Sequence, residues 1–228
     1  MLRKTFWGAT NKTNKRKRDV INDNNSDSEE STSDNSITKM PIIISKSNNS
    51  TIYSNFNHIY FNDDITTDSA FELNKELRTV EIKIKTLSAT LGINTEPIYL
   101  HLTTDGGLIY SALSIIDCIK SLSLPVYTVI DGFVASAGTL ISLAGEKRFM
   151  NKNAYMLIHE LRSGMWGKMT ELNEEHANLK KLMKHITKIY IKNTNIDKND
   201  IEEILKKDAI WNFKKCVKNG LVDEIYSP

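Results

Sequence analysis

The chain has 228 residues, 40% of them apolar, with 30 basic against 28 acidic side chains and a formal net charge of +2. That length bounds the protein to one ordinary domain with an appendage, and so weak a charge bias gives no electrostatic footprint for nucleic acid. Two cysteines, Cys118 and Cys216, stand in no CxxC or Cys/His spacing, which argues against a disulfide framework and a zinc site and points to buried thiols in a reducing compartment.

Residues 1–52 read as the appendage. Met1 to Arg18 carries Arg3, Lys4, Lys12, Lys15, Arg16, Lys17 and Arg18 with no acid, and an Asn/Ser/Asp/Glu stretch follows. Such a composition buries too little apolar surface to offset an ordering entropy of about 1–2 kcal/mol per residue, so a disordered tail is expected. Lys15-Arg16-Lys17-Arg18 has the composition of a nuclear-import patch, and the acid-free start with Leu2, Phe6 and Trp7 that of an organelle-targeting segment. A plain solvated tail accounts for both, so the compartment stays open. The start lacks the apolar run and small-residue cleavage site of a secretory signal, and a soluble, intracellular protein is expected.

From residue 53 to 228 the pattern alternates between β and α signals. His58 to Phe61 is a short strand, and Ser69 to Leu87 a helix with Phe71, Leu73, Leu77, Val80, Ile84 and Leu87 near helical spacing. Pro97 opens a strand over Ile98–Leu102 that ends at Asp105-Gly106-Gly107. A helix with Ile109, Leu113, Ile116 and Ile119 follows. Val126 to Ile130 is a strand terminated by Gly132, and Ala137 to Ala144 a small-residue helix. Phe133 to Ala144 is the longest apolar candidate, yet Ser136, Gly138 and Ser142 break it well short of the roughly 18 residues a membrane helix needs. Arg148–Met150 and Ala154–Ile158 are short strands, and Thr170 to Ile191 is a long amphipathic helix. Asn199 with Glu202 resembles a capping box for a helix through Leu205, and Asn212–Lys218 is a last helix stopped by Gly220. Strands alternating with helices predict an α/β domain with a mostly parallel sheet.

Two strand-to-helix turns carry candidate chemistry. At Gly106-Gly107 the backbone is free to take positive φ and to present amides at a helix start, although any tight βα turn favours glycine. In Val134-Ala135-Ser136-Ala137-Gly138 a hydroxyl stands among small residues beside the unpaired Ala137 amide; an ordinary N-capping serine is the plainer explanation. Val134 also takes the place of the first glycine of a GxSxG elbow. His159 ends the apolar strand Tyr155–Ile158, where a sheet delivers a polar group to a cleft. The remaining histidines, His58, His101, His176 and His185, have no such setting.

Taken in order, these motifs resemble the proteolytic subunit of the Clp protease, a member of the crotonase-like fold. They are a strand into Gly-Gly, then Ala-Ser-small-Gly, a strand into His, a long helix, an Asp, and Gly220-Leu221-Val222-Asp223. The resemblance spans about Ile59 to Ile225. It implies Ser136 as nucleophile, His159 as general base and Asp208 as its acid, with the Gly107 and Ala137 amides as the oxyanion hole. It places substrate beside Gly106 and along a glycine-bearing strand at Gly164–Thr170 that includes Gly167. It further implies a heptameric ring, usually paired face to face through the long handle helix, that degrades unfolded polypeptides. No metal or cofactor is expected. Without a GxxxxGK[ST] loop the chain cannot spend ATP itself, so a separate AAA+ ATPase unfoldase is implied.

The pattern also departs from the family. Asp105 stands where proline is usual, Glu160 where Gln is usual and Leu161 where the next proline is usual, and Ala144–Arg148 is shorter. These departures keep open a catalytically inert ring subunit. An acyl-CoA hydratase or hydrolase of the crotonase fold is the other rival, since it too uses two amides around an oxyanion.

Overall fold

The computed structural model describes residues 6–7 and 51–227. In chain order the elements are β1 (Phe6–Trp7), β2 (Ile52–Asn55), β3 (His58–Asn62), α1 (Thr67–Leu91), β4 (Ile98–Thr104), β5 (Gly107–Leu108), α2 (Ile109–Ser121), β6 (Val126–Ala135), α3 (Ala137–Ser142), β7 (Lys147–Met150), β8 (Tyr155–Ile158), α4 (Met169–Asn193), α5 (Lys198–Leu205), β9 (Ala209–Asn212), α6 (Phe213–Lys218) and β10 (Glu224–Ile225). The disordered tail expected over 1–52 lies outside the described residues except at Phe6, Trp7, Thr51 and Ile52.

An eight-stranded sheet organises the domain, in the order β10-β7-β6-β4-β3-β2, with β8 branching from β6 and carrying β9. The central pairings are parallel; β2 on β3 and β9 on β8 are antiparallel. Strand β6 runs on past Gly132, which the sequence had marked as its end. Up to Ile130 it pairs with β7, and from Phe133 with β8. Gly132 thus marks a change of partner, and the fork it creates carries the strand on to Ser136.

Local chemistry explains the longer elements. Helix α1 starts at a reciprocal capping box, in which the Ser69 amide donates to Thr66 Oγ1 at 3.0 Å and the Thr66 amide to Ser69 Oγ at 2.9 Å. Its buried stripe is Leu73, Leu77, Val80 and Ile84, whereas Phe71 and Leu87 lie outside it, exposed. Helix α5 is capped by Asp197, whose carboxylate accepts from the Asn199 amide, and not by Asn199 itself. Helix α4 buries Leu182, Ile186 and Tyr190, all in its C-terminal half. Its first half therefore stands away from the core, on a helix roughly 37 Å long by its rise per residue.

One expectation is corrected outright. Residues 159–168 contain no strand, and α4 begins directly at Met169. Met165 and Trp166 there are 39% and 89% exposed, and among the described residues no strand pairs with the segment. The two cysteines are free and buried, and burial pushes the Cys216 thiol up to about 12. Among the described residues no helix is long and apolar enough to cross a membrane.

Candidate active site

Strand register brings three of the candidate residues to one sheet end. In the parallel β6–β8 pair Ala135 faces Leu157, and the Ser136 amide donates to the Leu157 carbonyl at 2.9 Å. In the antiparallel β8–β9 pair Ile158 faces Ala209, so the next step along each chain sets His159 opposite Asp208. Ser136, His159 and Asp208 thus leave three adjacent strands at the same edge.

Ser136 occupies the N-cap position of α3 with φ 60° and ψ −125°, and its side chain makes no cap hydrogen bond. The plain N-cap explanation therefore fails. A positive φ at a residue with a Cβ costs about 1–3 kcal/mol and survives only where neighbours hold it. Here the hold is explicit: the Thr139 amide and hydroxyl both donate to the Ser136 carbonyl, at 3.0 and 2.7 Å. Tyr190 of α4 in turn meets Thr139 Oγ1 at 2.5 Å. Thr139 and Tyr190 are thus supports that motif reading missed, since neither carries catalytic chemistry. The sharp strand-to-helix turn of a nucleophile elbow is reached without the elbow's first glycine.

The two turns are drawn together by Gly138. A Cβ there would lie 2.4 Å from Thr104 Cγ2, so only glycine lets α3 approach the end of β4 this closely. Thr104 Oγ1 in turn accepts from the Gly106 amide at 3.1 Å. Gly106 and Gly107 have φ of 98° and 145°. The Gly106 carbonyl accepts from the Ile65 amide and the Leu108 amide donates to the Ile65 carbonyl, both at 2.7 Å. Alternation along an extended chain then directs the Gly107 amide to the other edge. On that edge β1 pairs antiparallel, Trp7 opposite Gly107 and Phe6 opposite Leu108. Ala137 is wholly buried in the first turn of α3. Gly164 and Gly167 lie in the irregular segment, with Gly167 at φ 157° and open space around Gly164.

Both Ser136 and His159 are buried. His159 Nδ1 lies 2.7 Å from the Glu160 carbonyl, and because a carbonyl only accepts, Nδ1 carries the proton. The neutral ring therefore offers Nε2 as a base. Burial pulls the His159 pKa below its usual 6.5, opposed by the Glu160 carbonyl; Arg162 lowers it further, while Asp208 and Glu160 raise it.

Asp208 is placed by register but its carboxylate is otherwise engaged. It accepts from Arg162 Nη2 at 2.5 Å, in an ion pair whose side chains are 50% and 53% exposed. Arg162 gave no sequence signal. Asp223, another acid near the C-terminus, accepts from the Arg148 guanidinium and amide, and Arg148 also donates to the Asn193 and Gly220 carbonyls. That clamp gives Asp223 a structural task. His101 and His58 form a separate group, His101 Nε2 2.9 Å from His58 Nδ1 and His101 Nδ1 3.0 Å from Asp131.

Comparison with known proteins bears on the family of the chain. Over 158 residues the chain is 34% identical to the ATP-dependent Clp protease proteolytic subunit 2 of Treponema denticola, covering 68% of this chain and 78% of that protein. The mixed α/β architecture, a central sheet with six helices among the described residues, is the one expected of that fold. Residues 45–228, which include every strand from β2 to β10 and all the candidate residues, match the Clp protease family, and this peptidase family is the one to which the chain belongs.

Proposed function

We propose that the chain is a serine-type endopeptidase that cuts extended, unfolded polypeptide through Ser136, His159 and Asp208. The Ser136 turn is the observation that carries this reading: a backbone held at positive φ by Thr139, with a hydroxyl that does no capping. In this mechanism His159 Nε2 takes the Ser136 proton as Oγ attacks the scissile carbonyl, then returns it to the leaving amine. The amides of Gly107 and Ala137 receive the tetrahedral oxyanion, each worth roughly 2.7–4 kcal/mol of barrier. Asp208 serves to stabilise the imidazolium.

Extended substrate is supported by the β5 edge, which accepts an antiparallel segment in Phe6–Trp7. Strand addition reads backbone, which suits broad specificity. A ring assembly, heptameric and paired face to face, is supported by the family and by the first half of α4 standing clear of the core beside exposed Trp166 and Met169. Folded substrates then require a separate AAA+ ATPase unfoldase, and the chain itself needs no cofactor.

A fluorophosphonate probe tests the reading directly. The full chain takes up one label, at Ser136, and Ser136→Ala takes up none; an assembled ring that resists labelling overturns it. That second outcome would favour an inert ring subunit, a reading for which the Arg162–Asp208 pair is the specific observation.

A further inference from the structure

We propose that Arg162 is a positioning residue that latches the Asp208 carboxylate away from His159, so that the triad is completed only when Arg162 lets go. The inference rests on the serine-peptidase reading given above. Four observations carry it. Strand register sets Asp208 opposite His159, one residue beyond the Ile158–Ala209 pair. The carboxylate nevertheless lies on Arg162 Nη2, 46 residues earlier in the chain. The position that Asp208 would take on the ring, Nδ1, is filled by the Glu160 carbonyl. Arg162 itself sits in the irregular segment 159–168, where no ladder hydrogen bonds restrain it, and Asp208 is held at φ 44° in the turn before β9.

The latch is balanced, not locked. Both partners are half exposed, and ion pairs in that setting shift an equilibrium by about fivefold at most. A carboxylate stabilises an imidazolium better than a neutral carbonyl does, so substrate or a neighbouring subunit that engages the guanidinium is enough to release Asp208. The charged groups acting on His159 are Arg162, Asp208 and Glu160. Arg162 disfavours the imidazolium and Asp208 favours it. Removing Arg162 therefore makes the ring more basic twice over, directly and by freeing the acid.

The experiment is a cycle of Arg162→Gln, Asp208→Asn and the double variant in the full chain, read as pH profiles of kcat/KM on a fluorogenic peptide. Arg162→Gln is expected to raise the plateau about two- to fivefold and to move the acid-limb midpoint upward. Arg162→Lys, which keeps the cation, stays near the unaltered chain. In the Asp208→Asn background Arg162→Gln brings no gain. An unmoved midpoint in Arg162→Gln overturns the latch, as does an equal gain with and without Asp208. If Asp208→Asn changes nothing in either background, the acid assignment itself falls, which is a separate failure.

Discussion

Gly107→Ala is the substitution whose consequences the structure specifies most fully. A Cβ at Gly107 would lie 2.2 Å from the Ile65 carbonyl oxygen and 2.9 Å from both its carbonyl carbon and its nitrogen. That is more than about 1 Å inside ordinary contact, and the obstacle is backbone, which cannot rotate aside. Ile65 is buried, and its amide and carbonyl hold Gly106 and Leu108, so it cannot retreat without losing both bonds. The φ of 145° adds strain of about 1–3 kcal/mol, and each weakened hydrogen bond about 0.5–1.5 kcal/mol. A loss near 2–4 kcal/mol lowers the melting temperature by roughly 5–15 °C in a domain of this size. The displaced strand would also take the Gly107 amide out of the proposed oxyanion hole, for which a kcat lower by about 10²–10³ is expected. Thermal melts and peptide hydrolysis measure the two effects separately. Gly132→Ala is the control, since its Cβ would stand 3.7 Å from Thr103 Oγ1, an ordinary contact. A Gly107→Ala protein with unaltered kcat and melting temperature would refute both the steric argument and the oxyanion role.

Ser136→Ala should lower kcat by about 10⁶ and abolish probe labelling, with the fold retained and stability lowered by no more than about 1.5 kcal/mol, the order of one buried hydrogen bond; retained turnover would remove Ser136 as nucleophile. The acid limb of kcat/KM should have its midpoint below 6.5, since burial lowers the His159 pKa and the neutral ring is the working base. Activity then holds from neutral pH downward and fails only below that lowered value, and a midpoint above 6.5 contradicts the assignment. Deleting residues 1–50 should leave the domain folded, because the buried core of the described residues, from Ile59 onward, closes on itself. Turnover of short peptides should be retained or rise as β1 leaves the β5 edge; aggregation or lost hydrolysis of the truncated chain would show that the segment belongs to the structure.

Much of the framework was legible in the order of residues alone. Helices α1 and α4 and strands β4, β6 and β8 carry apolar patterns long enough to announce themselves, and the Gly106-Gly107 turn follows a strand that ends where expected, whereas β6 runs past the expected stop at Gly132 to reach Ser136. Short edge strands were not legible. In β9 only Trp211 is buried, and in β10 neither residue is, so no periodicity marks them; they are strands because β8 and β7 offer them partners. Asp208 owes its place opposite His159 to that β9 register, and the motif could supply its identity but not its bonding partner.

Sequence by itself determined which residue types stand at the strand ends, because burial patterns and turn glycines are local properties of the chain. Only the tertiary structure decided what those side chains do. Whether Ser136 caps a helix depends on two backbone angles that Thr139 and Tyr190 enforce from elsewhere. Whether Asp208 meets His159 or Arg162 depends on a contact between two half-exposed charges that are 46 residues apart. Such pairs leave no periodic trace in the sequence, and their energies are small enough for packing to settle which one forms.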